Sequence, residues 1–351
     1  MTSEHSKRKV LLTGGTGFIA SHVLDCLLDH GFEVVVTARS DEKGHRIVKS
    51  IDESLRKRVS FVVVENIAKA GVFDNVFKSD PTFDYVVHTA SPFQFHWDDP
   101  VKDCLDPAIK GTTGILKSIH AYAPNVKRVV ITSSSAAIRS PPNHPEVYDE
   151  SCWSDVTLEE AILDPKNTYR ASKKFAEQAA WSFLMSATPS PTFSLATINN
   201  SFTLGPIPRS LPGPDALNTS NRRVHDLVHG HWRDRGVPLS APVFTFVDVR
   251  DVALAHVRAM MVPEAGGKRF YVVGGFFSNP RLLRVVRERF PRLEGRLPAK
   301  EEEAADDFPE DHWGFDNSRS IKVLGLEYRG LEECVADTVE SMLRLAGEEL
   351  E

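Results

Sequence analysis

The stretch Gly14-Gly15-Thr16-Gly17-Phe18-Ile19-Ala20 follows directly on the apolar run Val10-Leu11-Leu12. It leads into an apolar stripe at helical spacing, Ile19 to Leu28, that Gly31 stops. Few architectures send a buried strand through glycines into a helix N-terminus. Gly14 and Gly17 let the backbone turn tightly and approach an anion, and Ala20 is a small residue where helix and strand pack. The helix start offers unpaired N–H groups and a favourable dipole to a pyrophosphate. A lone glycine-rich turn is weak evidence, but one that follows the first strand of an alternating chain is much stronger.

The chain alternates in this way. Strands are expected at Val34-Val35-Val36, at Val59 to Val64, at Tyr85-Val86-Val87-His88, at Val129-Val130-Ile131-Thr132 and at Phe193 to Ile198. Helical stretches separate them around Gly44 to Arg56, from Ile109 to Ala121 and from Tyr169 to Met185. Apolar strands separated by helices predict an α/β fold of Rossmann type, a doubly wound parallel sheet covered on both faces. Ligands of such a sheet lie off the carboxyl ends of its strands. After Gly205 the texture changes. Pro206, Pro208, Pro212 and Pro214 mark a loop, and helices are expected to Met261, from Leu282 to Phe290 and from Leu331 to Leu345. These features predict a dinucleotide-binding domain over 8–198 with a return segment near 243–260. A smaller C-terminal substrate-binding lobe would comprise 199–242 and 261–345.

Composition narrows the class of partner. With 42 basic and 48 acidic residues the net charge is -6, which gives no reason to expect nucleic acid or an anionic membrane. No apolar run reaches the ~18 residues of a membrane span. The polar N-terminus leads straight into a strand, and Cys26, Cys104, Cys152 and Cys334 are far apart. A reduced, cytoplasmic protein is expected, without a zinc site or other metal. The expected oligomeric state is a monomer or a homodimer.

Tyr169 and Lys173 stand four residues apart on an expected helix, so their side chains share one face. About 35 residues upstream a strand ends in Thr132-Ser133-Ser134-Ser135. Reducing a carbonyl puts negative charge on its oxygen as hydride arrives at carbon, and a positioned acid must quench that charge. Free tyrosine, with a pKa of about 10, is poor at this near neutral pH. A nearby ammonium is expected to lower that value, and a serine hydroxyl to fix the oxygen in place. Tyr-x-x-x-Lys alone is common by chance. In order with the serines and the glycine turn, it points to hydride transfer between a nicotinamide and a carbonyl carbon.

The end of strand two selects the cofactor. A carboxylate there would bind a ribose 2′-hydroxyl, but the strand ends Thr37-Ala38-Arg39-Ser40, with Lys43 following. Arg39 suits a 2′-phosphate through charge and forked donors. Asp41 and Glu42 are expected to point outward. Asn66 and Ile67 are expected at the adenine, and Thr89, Ala90 and Ser91 under the ribose and nicotinamide.

These segments together resemble the extended short-chain dehydrogenases/reductases. The likeness is to the branch of dihydroflavonol reductase, cinnamoyl-CoA reductase and the fungal NADPH-dependent aldehyde and ketone reductases. Further segments carry it: His88-Thr89-Ala90-Ser91-Pro92-Phe93, Lys110 to Ser118, Asp149-Glu150-Ser151-Cys152-Trp153, Tyr169 to Lys174 and Asp248 to Ala253. It spans about residues 8 to 345. It implies a Ser-Tyr-Lys triad on Ser134, Tyr169 and Lys173, with Ser133 as the alternative serine, and NADP(H) as cofactor. Gly14, Thr16, Gly17, Phe18, Ile19 and Asn199 join the expected cofactor contacts. Two positions depart from the pattern. Asn200 stands where relatives have proline, which reshapes the nicotinamide end, and Asn66 stands where many have aspartate.

Phe93, Phe95, His96 and Trp97 follow strand four, and Ile138 follows the serines. With Ser134 and Tyr169, residues Phe93, Phe95 and Ile138 are expected to line a substrate pocket, closed by the loop Ile207 to Leu217. Such a pocket suits an apolar or aromatic aldehyde or ketone. Two other readings use the same fold: a nucleotide-sugar epimerase or dehydratase, and a non-catalytic NADP-binding redox sensor.

Overall fold

The computed structural model describes residues 8–91, 98–211, 213, 216–300, 305–310 and 312–348. Its strands in chain order are β1 (Lys9–Thr13), β2 (Glu33–Ala38), β3 (Val59–Val63), β4 (Tyr85–His88), β5 (Arg128–Thr132) and β6 (Val147–Tyr148). They continue with β7 (Ser194–Asn200), β8 (Phe202–Leu204), β9 (Thr245–Asp248), β10 (Lys268–Val272), β11 (Gly275–Phe276) and β12 (Gly314–Phe315). A seven-stranded sheet has the order β10-β7-β5-β4-β1-β2-β3, and its neighbouring strands are parallel. The Rossmann-type sheet expected from the alternation is therefore present. Its order reverses at β1, which has β2 on one side and β4 on the other. That crevice is where a doubly wound sheet binds ligands.

Successive strand residues feed opposite faces, and both faces are covered, which is why these strands read as continuous apolar runs. Val10 and Leu12 of β1 join a core with Val23, Leu27, Val252 and Val257, from helices Phe18–Asp29 and Val249–Met261. Leu11 joins the opposite core with Phe77, Ile115, Ile119 and Ala180. Helix Asp41–Ser50 lies against β3 so closely that a Cβ on Gly44 would sit 2.1 Å from the Phe61 ring.

The expected domain boundary needs correction. β10 lies in the stretch 261–345 assigned to the smaller lobe, yet it pairs with β7 from Lys268↔Ala196 to Val272↔Asn200. Periodicity can reveal a strand here but not a partner some seventy residues away. The return segment is also divided. Its strand β9 belongs to the three-stranded sheet β11-β9-β8, while the helix that follows covers the main sheet. Around the small sheet, Leu204, Val224, Trp232, Phe246, Phe277, Leu282 and Val339 form a separate core. Helix Thr219–Val228, absent from the expected elements, contributes to it. No helix among the described residues is long and apolar enough to cross a membrane.

Candidate active site

The glycine turn is built for close approach. Gly14 has φ +73°, and a Cβ there would meet the Ala90 backbone and the Thr89 hydroxyl at 3.0 Å. Gly14 N donates to Thr37 Oγ1 at 3.1 Å and Gly17 N to Gly14 O at 2.8 Å. Helix Phe18–Asp29 begins at Gly17 with no side-chain cap and no acidic residue in its first turn. Its leading N–H groups are therefore not claimed by a side chain, and the dipole favours an anion. Thr16, Phe18 and Ile19 are half-buried around this turn.

The end of β2 carries exposed Arg39 and half-buried Lys43, neither in an ion pair among the described residues. The neighbouring acids are occupied on their own helix, where Asp41 pairs with His45 at 3.0 Å and Glu42 with Arg46 at 3.9 Å. The local balance at the end of β2 is thus cationic. Exposed Asn66 accepts from Ala68 N at 2.9 Å through its Oδ1. Ile67 packs on the helix Asp106–Tyr122, where a Cβ on Gly111 would stand 2.9 Å from its Cδ1.

One relay ties the glycine turn to the loop after β4. Thr89 Oγ1 donates to Thr13 O at 2.6 Å, Ala90 N donates to Thr13 Oγ1 at 3.2 Å, and that same oxygen lies 2.8 Å from His88 Nδ1. His88 is buried, and burial brings its pKa down to about 3, with the Lys173 charge assisting. Ser91 accepts from Lys173 Nζ at 3.0 Å, which links this loop to the helix Pro165–Ser186.

That helix starts a turn earlier than Tyr169 and holds Tyr169 and Lys173 on one face. Ser133 N continues the sheet ladder to Ile198 O, and Ser134 then leaves it in extended conformation to cap the turn Ser135–Ala137. Ser134 lies close enough to the Tyr169 hydroxyl to lower its pKa. The structure thus brings Ser134, Tyr169 and Lys173 together. Ser133 faces away, donating to Glu177 Oε2 at 2.5 Å.

The electrostatics differ from expectation. Burial pushes the Tyr169 phenol up to about 12, with the Ser134 hydrogen bond opposing. Burial brings the Lys173 ammonium down to about 8. Lys173 Nζ lies 5.8 Å from the Tyr169 ring centroid and is turned to Ser91. Desolvation therefore outweighs the ammonium, and the phenol stays protonated at neutral pH.

Beneath the triad lies a cluster that the motifs did not reveal. Glu177, 2 % exposed, accepts from Thr197 Oγ1 at 2.8 Å, Asn199 Nδ2 at 2.7 Å and Arg269 Nε at 2.7 Å. Arg269 lies 3.6 Å from the centroid of Trp153. Asn199 is fully buried and lies 3.4 Å from Ser134 O through the same amide nitrogen. Its amide nitrogen is thus engaged below the serine. The sequence signal was available in a glutamate four residues after Lys173.

Of the expected substrate residues, Phe93 and Phe95 lie outside the described residues, as do His96 and Trp97. Ile138 is fully buried with Tyr148, Phe244, Tyr271 and Trp313. It is a core residue first, and it borders a cavity of about 410 Å³ together with Ser140, His144, Tyr148 and Trp153. The described part of the loop after Gly205 docks elsewhere than expected. Pro206 O lies 2.9 Å from His22 Nε2 and Ser210 Oγ 3.2 Å from Ser21 Oγ, both on the first turns of helix Phe18–Asp29.

Comparison with known proteins agrees with this geometry. The profile of the NAD dependent epimerase/dehydratase family matches residues 10–274. A ketoreductase of Aspergillus niger is 54% identical over 97% of this chain and 98% of its own. An NADPH-dependent methylglyoxal reductase of Saccharomyces cerevisiae is 36% identical over 96% and 99%. The crystal structure of a yeast methylglyoxal/isovaleraldehyde reductase complexed with NADPH matches with a TM-score of 0.89 at 35% identity, covering 97% of this chain and 100% of that one. The chain belongs to the NAD dependent epimerase/dehydratase family, in its extended short-chain dehydrogenase/reductase branch.

Proposed function

We propose that this chain is an NADPH-dependent carbonyl reductase, which converts an aldehyde or ketone to an alcohol with Tyr169 as proton donor. The observation that carries this reading is the convergence of Tyr169 with Ser134 and, one helical turn on, with Lys173, whose ammonium is tied to Ser91 after β4. The reductases among its relatives support it, as does the unpaired cationic end of β2.

When bound, NADPH supplies the hydride. Gly14, Gly17 and the helix start hold the pyrophosphate, and Arg39 with Lys43 holds the 2′-phosphate. Lys173 and Ser91 hold the nicotinamide ribose. Ser134 donates a hydrogen bond to the substrate oxygen and fixes it beside Tyr169. Tyr169 gives its proton to that oxygen as charge develops there.

The aromatic side chains around Ile138 support a medium-sized substrate with an apolar or aromatic substituent. The four cysteines are free thiols, which supports the reducing cytoplasm as the site of action. The test is NADPH consumption across a panel from small 2-oxoaldehydes to aryl ketones and dihydroflavonols. Turnover confined to phosphorylated or nucleotide-linked carbonyls contradicts the proposal.

A further inference from the structure

Three histidines meet where two helices of the smaller lobe join. Helix Thr219–Val228 carries His225 in its last turn and ends on His229 as its C-cap. The next residue, Gly230, has φ +85°, and the short helix His231–Arg235 follows it. A left-handed residue here folds the chain back, which glycine allows at little cost. His231 is thereby returned to the side of His225. The arrangement has a firm base, because Val224, Leu227, Val228 and Trp232 of the same two helices are buried in one core.

The spacing i, i+4 puts His225 and His229 on one helix face, and their rings stack with centroids 4.0 Å apart. The His231 ring stands edge-on to His225, with centroids 6.2 Å apart. Each ring has one nitrogen engaged by an oxygen that only accepts. His225 Nδ1 lies 3.3 Å and His231 Nδ1 3.2 Å from Asp226 Oδ1. His229 Nδ1 lies 2.9 Å from His225 O. The proton of each neutral imidazole therefore sits on Nδ1, and the lone pair on Nε2. A metal-ligating histidine has this tautomer, its other nitrogen donating to a carboxylate or a carbonyl.

Imidazoles that share a tetrahedral ion at about 2.0 Å have ring centres about 5 Å apart. The observed 4.0 and 6.2 Å fall on either side of that value. Among the described residues no group of three metal-ligating side chains is already arranged around an ion, so ring rotations must close the site. His229 and His231 are exposed and have room to make them. The helix C-terminus adds a favourable dipole for a cation. Asp226 and Glu348, which faces His229, also favour one, and Arg222 opposes it. The wide spacing of the cysteines argues against a zinc site of thiolates and does not bear on one of imidazoles.

We propose that His225, His229 and His231 bind a divalent transition cation of the Zn2+ class through their Nε2 atoms, with Asp226 orienting two of the three rings. Neutral imidazoles select such cations over Mg2+ and Ca2+, which require oxygen ligands. The bound ion ties the end of one helix to the start of the next. The proposal does not depend on the reading of Ser134 and Tyr169.

The test titrates the chelator-treated full chain with ZnCl2 by calorimetry. One equivalent of Zn2+ is expected to bind, and Mg2+ is expected not to bind. His229→Gln and His231→Gln are each expected to weaken Zn2+ binding by about tenfold or more, and Asp226→Ala by about 10–100-fold. NADPH affinity equal to that of the wild type reports that each variant is folded. If Asp226→Ala does not fold, the two histidine variants, both at exposed positions, decide. His30→Gln changes an exposed histidine 3.8 Å from Cys26 Sγ and is expected to leave Zn2+ binding unchanged. No Zn2+ binding, equal binding of Mg2+, an unchanged affinity in either His229→Gln or His231→Gln, or loss of binding in His30→Gln overturns the proposal.

Discussion

Glu177 and Arg269 form an ion pair at 2.7 Å directly beneath the serine end of β5. The pair joins the helix that carries Tyr169 and Lys173 to the edge strand β10. Through Ser133 and Asn199 it also fixes the backbone on either side of Ser134. Removing one partner leaves the other charge buried and alone. Glu177→Ala is expected to lose about 3–5 kcal/mol of stability, read from urea unfolding, whereas Glu177→Gln keeps some acceptors and loses less. A loss under about 1 kcal/mol in Glu177→Ala, the scale of an exposed pair, contradicts this role.

Lys173 is held in place at a cost in stability. Burial lowers its pKa to about 8 from its ordinary 10.5, so the folded protein binds fewer protons than the unfolded chain between those values. Stability from this group therefore rises with pH through that window and is at its lowest below pH 8. Lys173→Met is expected to abolish turnover while raising stability at pH 7 by on the order of 1–2 kcal/mol, after the lost Ser91 hydrogen bond is set against the gain. The advantage should shrink toward pH 10. Thermal unfolding of both proteins at several pH values checks this, and an advantage that grows with pH reverses the sign of the account.

Much of this was legible in the sequence, for identifiable reasons. The glycine turn, the strand ends and the Tyr169–Lys173 spacing are local patterns, and local geometry fixed their places. The parallel partner of β10 depends on contacts far apart in the chain. The orientation of Asn199 depends on Glu177, whose role appears only when β7 and helix Pro165–Ser186 are packed together. The tyrosine's raised pKa was missed for a similar reason, since spacing shows a nearby ammonium but not the loss of water around the phenol.

Arg39 is expected to read the 2′-phosphate, since nothing in the described protein pairs with it while Asp41 and Glu42 are paired on their own helix. Arg39→Ala should weaken NADPH binding by about 1.5 kcal/mol, roughly tenfold, and NADH binding much less. Fluorescence titrations with both cofactors distinguish this from a general loss. An equal loss for the two shows that Arg39 does not contact the phosphate.

Tyr169 is expected to give its proton to a carbonyl oxygen held by Ser134. Tyr169→Phe removes one oxygen atom from the site and leaves the glycine turn, Arg39 and the Lys173–Ser91 contact in place. Single-turnover oxidation of bound NADPH by an aldehyde or ketone from the panel is the direct measurement. NADPH affinity is expected to stay within about threefold of wild type and the rate to fall by roughly 10²–10⁴. A rate close to that of the wild type would contradict it.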